Sequence, residues 1–392
     1  MAKNKPTILV ITGGYFPGVD FGGIATSRFN FSQALGDYYD IAIVTRNHDY
    51  KTTTPYKTIK EGWNEYGKGR VRYLSDDAFC EKTFLEIIEE TTPILIYLSG
   101  TITSYFYFNK DAIRAAEKKN VPILLTPDGD ICTNAMRIKP LKKLAAATLC
   151  RIIGAFKNVW FQPTSPIEVE NLPKYLGIKK ERITLLANLP SQETPRQNYE
   201  KQKDRLSIVF ASRIHPVKNL SYALQVVSKL TASVTFDIYG SMEDRLYWQE
   251  CEAIIASMPE HVKVSYKGRL DAAEAREVAR NYDVFFLPTL SENYGYAIEE
   301  ALLCGCPVII SRGTTPWNDV DGQGGFAGNL AAPEIFVAEL NRIASMDTIQ
   351  YAEYTERLSG YIHKKLSYEK LVNDYKELIE KVATTKKQKA EK

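Results

Sequence analysis

The 392-residue chain sets 50 Lys and Arg against 47 Asp and Glu, a formal charge of +3, and is 44% hydrophobic and 25% charged. These proportions belong to soluble globular protein and exclude a disordered chain, a membrane-embedded one and recruitment to nucleic acid by bulk charge. The length allows two or three domains with separate cores.

Residues 1–6 lead straight into an apolar strand at Thr7–Thr12 without the apolar core of a signal peptide. No run reaches the ~18 apolar residues that span a bilayer, so the expected location is the cytoplasm. Further strands are predicted at Ile41–Val44, Val71–Leu74, Ile94–Leu98, Ile123–Thr126 and Val159–Gln162, alternating with helical segments as in a doubly wound parallel sheet. Gly13-Gly14-Tyr15-Phe16-Pro17-Gly18 follows the first strand, and Gly22-Gly23 opens the first helix. Glycine there either lets the backbone approach a ligand or only turns the chain. No Gly-x-Gly-x-x-Gly follows that strand, which disfavours a nicotinamide or flavin enzyme. Asp128-Gly129-Asp130, at the end of the Ile123–Thr126 strand, reads by itself as an Asx-type turn. Arg137–Lys157 is basic and amphipathic. It reads either as a solvated helix face over core leucines or as a segment resting on an anionic leaflet.

Residues 191–203 are polar, bounded by Pro and without period, and are expected to be a linker. Strands follow near Ile208, Phe236, Val262, Val284 and Val308. The first runs into Arg213 and Lys218, a bidentate cation and a point charge suited to phosphate, with His215 between them readable as a ligand contact or as a helix-entry polar residue. Gly240 and Gly268 end the next two strands. Val284–Leu287 stops at Pro288, the loop after it carries Glu292, and a helix is predicted to start near Gly295 or Tyr296, with Ala297 in its first turn and Glu300 a turn further on. First-turn amides suit a ligand phosphate, and two carboxylates eight positions apart can hold a polyhydroxylated ligand between them. The six cysteines include no Cys-x2-Cys pair and read as reduced core thiols. Tyr368, Leu371, Val372, Tyr375 and Leu378 form one stripe on a last helix, and Thr384–Lys392 is a Lys-rich tail expected to be disordered.

Glu292-x7-Glu300, preceded by a strand and Pro288 and followed by Gly305-Cys306-Pro307-Val308, resembles the signature of retaining glycosyltransferases of family 4, the group 1 glycosyl transferases. Arg213-x4-Lys218 is similar to the same family's basic pair. The resemblance implies an α/β protein of the GT-B fold: two Rossmann-like, doubly wound parallel-sheet domains facing a cleft. The expected boundaries are 1–190 for acceptor binding, 204–365 for the nucleotide sugar, and 366–383 for a helix crossing back to the first domain. It implies Glu292 on the donor sugar, Glu300 on the ribose, Arg213 and Lys218 on the diphosphate, and the amides of Gly295, Tyr296 and Ala297 on its terminal phosphate. Gly240 and Gly268 would lie near the base, and Gly22 and Gly23 near the reaction centre. Asp128 departs from the family, which often has His or Arg there. Asp128-Gly129-Asp130 also resembles the metal site of the other glycosyltransferase fold, and Asp128 can equally be read as acting on the acceptor hydroxyl. The expected activity is retaining transfer of a hexosyl unit from a nucleotide diphosphate sugar, UDP-sugar ahead of GDP-sugar, to a saccharide or lipid-linked saccharide in cell-surface polysaccharide synthesis. No cofactor or metal is expected, no nucleic-acid partner, and a peripheral membrane contact is one reading of the basic segment. The rival functions are a nucleotide-sugar epimerase of the same fold and a non-catalytic partner subunit.

Overall fold

Leu9, Val10 and Ile11 in one strand, Ile96, Tyr97 and Leu98 in another and Leu124 and Leu125 in a third are at most 1% exposed. Unbroken apolar strands of this kind require cover on both faces, which is the condition of a parallel sheet. The computed structural model describes residues 5–19, 21–50, 52–137, 139–191, 196, 199–270 and 272–390. The chain forms two compact units, one running up to Leu189 and including the segment from Tyr368 on, the other Pro190–Ser367.

The first unit is built on β1 (Thr7–Ile11), β2 (Asp40–Arg46), β3 (Trp63–Tyr66), β4 (Gly69–Leu74), β5 (Leu95–Ser99), β6 (Ile123–Thr126) and β7 (Val159–Phe161), in spatial order β3-β4-β2-β1-β5-β6-β7. All neighbours are parallel except β3, which pairs antiparallel with β4. The second unit has β8 (Arg205–Ala211), β9 (Ser233–Tyr239), β10 (Val262–Gly268), β11 (Val284–Leu287), β12 (Val308–Ser311) and β13 (Phe326–Gly328), all parallel, in order β10-β9-β8-β11-β12-β13. In both sheets the strand order reverses, between β1 and β5 and between β8 and β11. Loops leaving the carboxyl ends of strands diverge at such a reversal and open a crevice, the usual ligand position in doubly wound sheets.

Three expectations need correcting. The last helix, Tyr368–Ala390, continues through most of the tail expected to be disordered, whose Thr-Thr-Lys-Lys-Gln-Lys-Ala run contains no helix breaker. Its buried stripe is Val372, Tyr375, Leu378, Ile379 and Val382, while Tyr368 is exposed. Within the expected linker, residues 192–195, 197 and 198 lie outside the described residues, but Arg196 and Tyr199 are built into the second unit. The Arg196 guanidinium lies 4.0 Å from the Tyr199 ring centre and donates to the Tyr282 carbonyl at 2.7 Å and the Tyr351 hydroxyl at 2.5 Å. All six cysteines are free thiols. Among the described residues no helix is long and apolar enough to cross a membrane.

Candidate active site

The loop after β8 is shaped by its own short-range bonds. His215 Nδ1 accepts the Val217 amide at 3.2 Å and so caps the single helical turn Pro216–Lys218. Asn219 ends the turn in the left-handed region, φ 61°, where Asn is among the few side chains tolerated. This loop is then tied to the one after β11: Asn219 Nδ2 donates to the Pro288 carbonyl at 2.9 Å, and the Leu290 amide and Thr289 hydroxyl donate to the Val217 carbonyl at 2.8 and 3.0 Å. The result is that Lys218 Nζ forms a salt bridge with Glu292, both side chains nearly buried at 11% and 12% exposure. Arg213, 48% exposed, is held by both carboxylate oxygens of Glu243 at 2.9 and 3.1 Å.

Glu292 is fixed through its backbone, its amide donating to the Thr314 carbonyl at 2.7 Å. Gly295, in the left-handed region at φ 84°, starts the helix Tyr296–Leu303 where predicted. Its carbonyl takes the amides of Ile298 and Glu299, and the amides of Tyr296 and Ala297 occupy the first turn, where the helix itself offers no acceptor. Trp317, 1% exposed, braces this start: its Nε1 donates to the Tyr294 carbonyl at 2.6 Å. Glu300 is buried, and burial pushes its carboxyl up to about 7 while the charge of Arg276 pulls it down. Burial likewise pushes the neighbouring Glu299 up to about 8, against hydrogen bonds from Tyr294 and from the Ser191 amide at 2.7 Å.

Gly240 and Gly268 meet at the ends of β9 and β10, the Gly240 amide donating to the Gly268 carbonyl at 2.9 Å. A Cβ on Gly240, at φ 151°, would lie 1.9 Å from the Ser212 carbonyl oxygen, so this close approach of β9 to the residue before Arg213 requires glycine. In the second unit the structure thus joins Lys218 to Glu292 and Gly240 to Gly268. Glu300 is placed one turn inside the helix, facing Arg276.

Gly22, Gly23 and Asp128 belong to the first unit. Gly22, φ 56°, caps the helix Gly23–Leu35, and the N-terminus of that helix is exposed. Asp128 binds Arg28 Nη2 through both oxygens at 2.7 and 3.0 Å, with the Arg28 guanidinium 4.7 Å from the Tyr97 ring centre. Burial pushes the Asp128 carboxyl up and Arg28 opposes it. Asp130 faces elsewhere. It accepts the amides and hydroxyls of Thr101 and Thr103 at 2.9–3.2 Å and pairs with Lys143 at 3.2 Å, and against the effect of burial these hold it below the usual carboxylate range. Both carboxylates of the Asp-x-Asp pattern are therefore engaged within the chain, with different partners. Buried Glu168, which the sequence did not single out, supports the turn by accepting the Gly129 amide at 2.7 Å and the Thr164 amide at 2.8 Å. Glu243 and Trp317 were missed in the same way; the contact that brings each to the site, with Arg213 and with the Tyr294 carbonyl, is distant in sequence.

The sequence profile of the glycosyl transferases group 1 family matches residues 205–346, most of the second unit. A 41.2 kDa protein in the cps region of Klebsiella pneumoniae is 24% identical over 299 residues, 72% of this chain and 77% of that one. Among solved structures, Anabaena Alr3699/HepE in complex with UDP and glucose superimposes with a TM-score of 0.70 at 14% identity, covering 96% of this chain and all of that one. Sucrose-phosphate synthase from Thermosynechococcus elongatus gives 0.71 at 13% identity, covering 97% and 100%. The structural likenesses carry the fold, which is GT-B. The group 1 match carries the activity class, and the chain is a glycosyltransferase.

Proposed function

We propose that this GT-B glycosyltransferase belongs to the retaining family 4 enzymes and moves a hexosyl unit from a UDP-sugar to a saccharide or lipid-linked saccharide in the cytoplasm, at the cytoplasmic face of the membrane where the acceptor is lipid-linked. The carrying observation is the pairing of Lys218 with Glu292 across the β8–β11 strand reversal, which sets the two sequence motifs side by side at the crevice. The nucleotide is assigned from the neighbour that holds UDP and glucose. The setting in cell-surface polysaccharide synthesis draws on the cps-region relative.

In this reading Arg213 and Lys218 hold the diphosphate and the first-turn amides of Tyr296 and Ala297 receive its terminal phosphate. As the bond from the anomeric carbon to the phosphate oxygen breaks, charge accumulates on the departing diphosphate, and pre-oriented cations and amides stabilise that state more than the ground state. Glu243 and Glu292 contribute by fixing the two cations before the ligand arrives. The protein's own charges do this work, without a metal ion. Glu292 contacts the donor sugar, Glu300 accepts from the ribose hydroxyls, and the glycines Gly240 and Gly268 leave room for the base. In the first unit, Gly22 and Gly23 offer the exposed start of the helix Gly23–Leu35 as a ligand contact, and Asp128 acts on the acceptor hydroxyl.

Thermal unfolding with millimolar UDP, GDP and ADP, each with and without a divalent ion, tests the donor site. A ligand at about 100 times its dissociation constant adds about 2.7 kcal/mol of stability. The expected result is a shift with UDP that does not depend on the ion. A shift only with the ion would return attention to Asp128 and Asp130, and no shift with any nucleotide would remove the donor assignment. An epimerised sugar formed from UDP-sugar without acceptor would instead indicate an epimerase, whereas release of UDP with the unchanged sugar is transfer to water.

A further inference from the structure

The helix Pro140–Ile152 is inverted relative to one that packs on a core. Its buried side chains are the small Ala147 and Cys150, whereas Leu141 and Ile152 are 83% and 76% exposed, and Leu144 and Leu149 are exposed beside them. At about 100° per residue these four aliphatics fall in one stripe on the side opposite Ala147 and Cys150, with Lys142 on one flank and Arg151 on the other. The expectation of a solvated face over core leucines is therefore overturned: the leucines are the outward face. Single exposed aliphatics are ordinary, but a stripe of large ones marks an interaction surface.

Charge selects the occupant. From Ile131 to Ile167 the chain has no acidic residue and six basic ones. Lys143 turns inward to Asp130, and Arg137, Lys139, Lys142, Arg151 and Lys157 are exposed. An apolar stripe bordered by cations on both sides matches the boundary between anionic headgroups and acyl chains, where aliphatics enter the bilayer and Lys and Arg stay at the surface.

We propose that Pro140–Ile152 lies flat on an anionic bilayer with Leu141, Leu144, Leu149 and Ile152 inserted. Through Lys143 and Asp130 the helix is tied to the end of β6, next to Asp128, so docking brings that strand end to the membrane surface and selects a lipid-linked saccharide as acceptor. The choice of acceptor rests on the proposed transfer reaction; the docking does not.

The test is co-sedimentation of the full chain with vesicles of phosphatidylcholine alone and of phosphatidylcholine mixed with phosphatidylglycerol, at low and high salt. Binding to the anionic vesicles, weakened by salt, is expected. Leu141→Glu/Ile152→Glu should bind at least about tenfold more weakly, and Lys142→Glu/Arg151→Glu should lose about fivefold or more per cation. All four positions are exposed, so unfolding midpoints should not move. Wild-type binding by Leu141→Glu/Ile152→Glu, or indifference of the wild type to anionic vesicles, overturns the proposal. Self-association in the ultracentrifuge that this variant abolishes, with no vesicle binding, would give the stripe to a second copy of the chain. The UDP-induced thermal shift, measured on the same proteins, reports separately on the transferase reading.

Discussion

Glu300→Gln separates what the candidate site costs from what it does. Burial pushes the Glu300 carboxyl from 4.5 to about 7. A carboxyl raised on folding favours the protonated form in the folded state. Its contribution is therefore fully favourable below the unfolded value of 4.5 and is lost as pH rises through about 7. At 1.36 kcal/mol per pH unit, carrying the ionised group inside costs the folded chain about 3 kcal/mol above pH 8. Gln keeps the shape without the charge, so the variant should match wild type near pH 4.5 and be more stable by about 2–3 kcal/mol at pH 8.5. For a unit of this size that is roughly 4–12 °C in midpoint. Removing Glu300 also lifts its charge from Glu299, which adds to the gain in the same direction. Circular dichroism melts of both proteins across this pH range measure it. At the same time the UDP-induced shift should fall, since a hydrogen bond to a charged group is worth about 1.5–3 kcal/mol. No gain at pH 8.5, or a gain of equal size at every pH, would refute the burial argument. An undiminished UDP shift would refute the ribose contact.

Lys218→Met leaves Glu292 nearly buried without its cation and should cost about 3–5 kcal/mol in urea unfolding, most of which Lys218→Met/Glu292→Gln should recover without recovering transfer. Arg213→Ala removes a half-exposed side chain, so stability should hold within about 0.5 kcal/mol while kcat/KM falls roughly 10²–10³-fold; a smaller fall would take the diphosphate contact away from Arg213. Gly240→Ala pushes a methyl against the Ser212 carbonyl and forces the ends of β8 and β9 apart, and calorimetry should show UDP binding lost; wild-type affinity would show that the close approach does not matter.

What the chain revealed before folding was whatever short-range pattern carries. Unbroken runs such as Val284–Leu287 identified buried strands, and Gly295 marked a helix start, because both signals lie within a few residues. β3 was missed because Trp63-Asn64-Glu65-Tyr66 mixes polar and aromatic residues on a partly exposed edge, and β13 because three residues offer no period. The salt bridge between Lys218 and Glu292 joins residues 74 apart, and only the order of β8 and β11 in the sheet creates it. Glu168 and Trp317 reach Gly129 and Tyr294 from 39 and 23 positions away, and no local pattern announces either contact. The Pro140–Ile152 helix shows a different limit. Its period was legible, but a 3.6-residue period says that one face is apolar and not whether that face points inward.

The raised carboxyl has a consequence for binding itself. In the free protein Glu300 is an acid held partly protonated near neutrality; if it takes the ribose as proposed, hydroxyls that donate to it favour the ionised form and lower its pKa. Binding must then release a proton wherever the free protein still holds one, and by linkage the affinity must rise with pH up to about 7 and level off above it. A UDP-sugar is the suitable ligand, because its diphosphate, esterified at both ends, carries no ionisation in this range, so any proton released comes from the protein. Calorimetry at pH 6 in buffers of different ionisation enthalpy should report release of close to one proton by the wild type and clearly less by Glu300→Gln. Equal release by the two proteins would mean that the ligand reaches some other titrating group, and that Glu300 lies behind the site rather than in it.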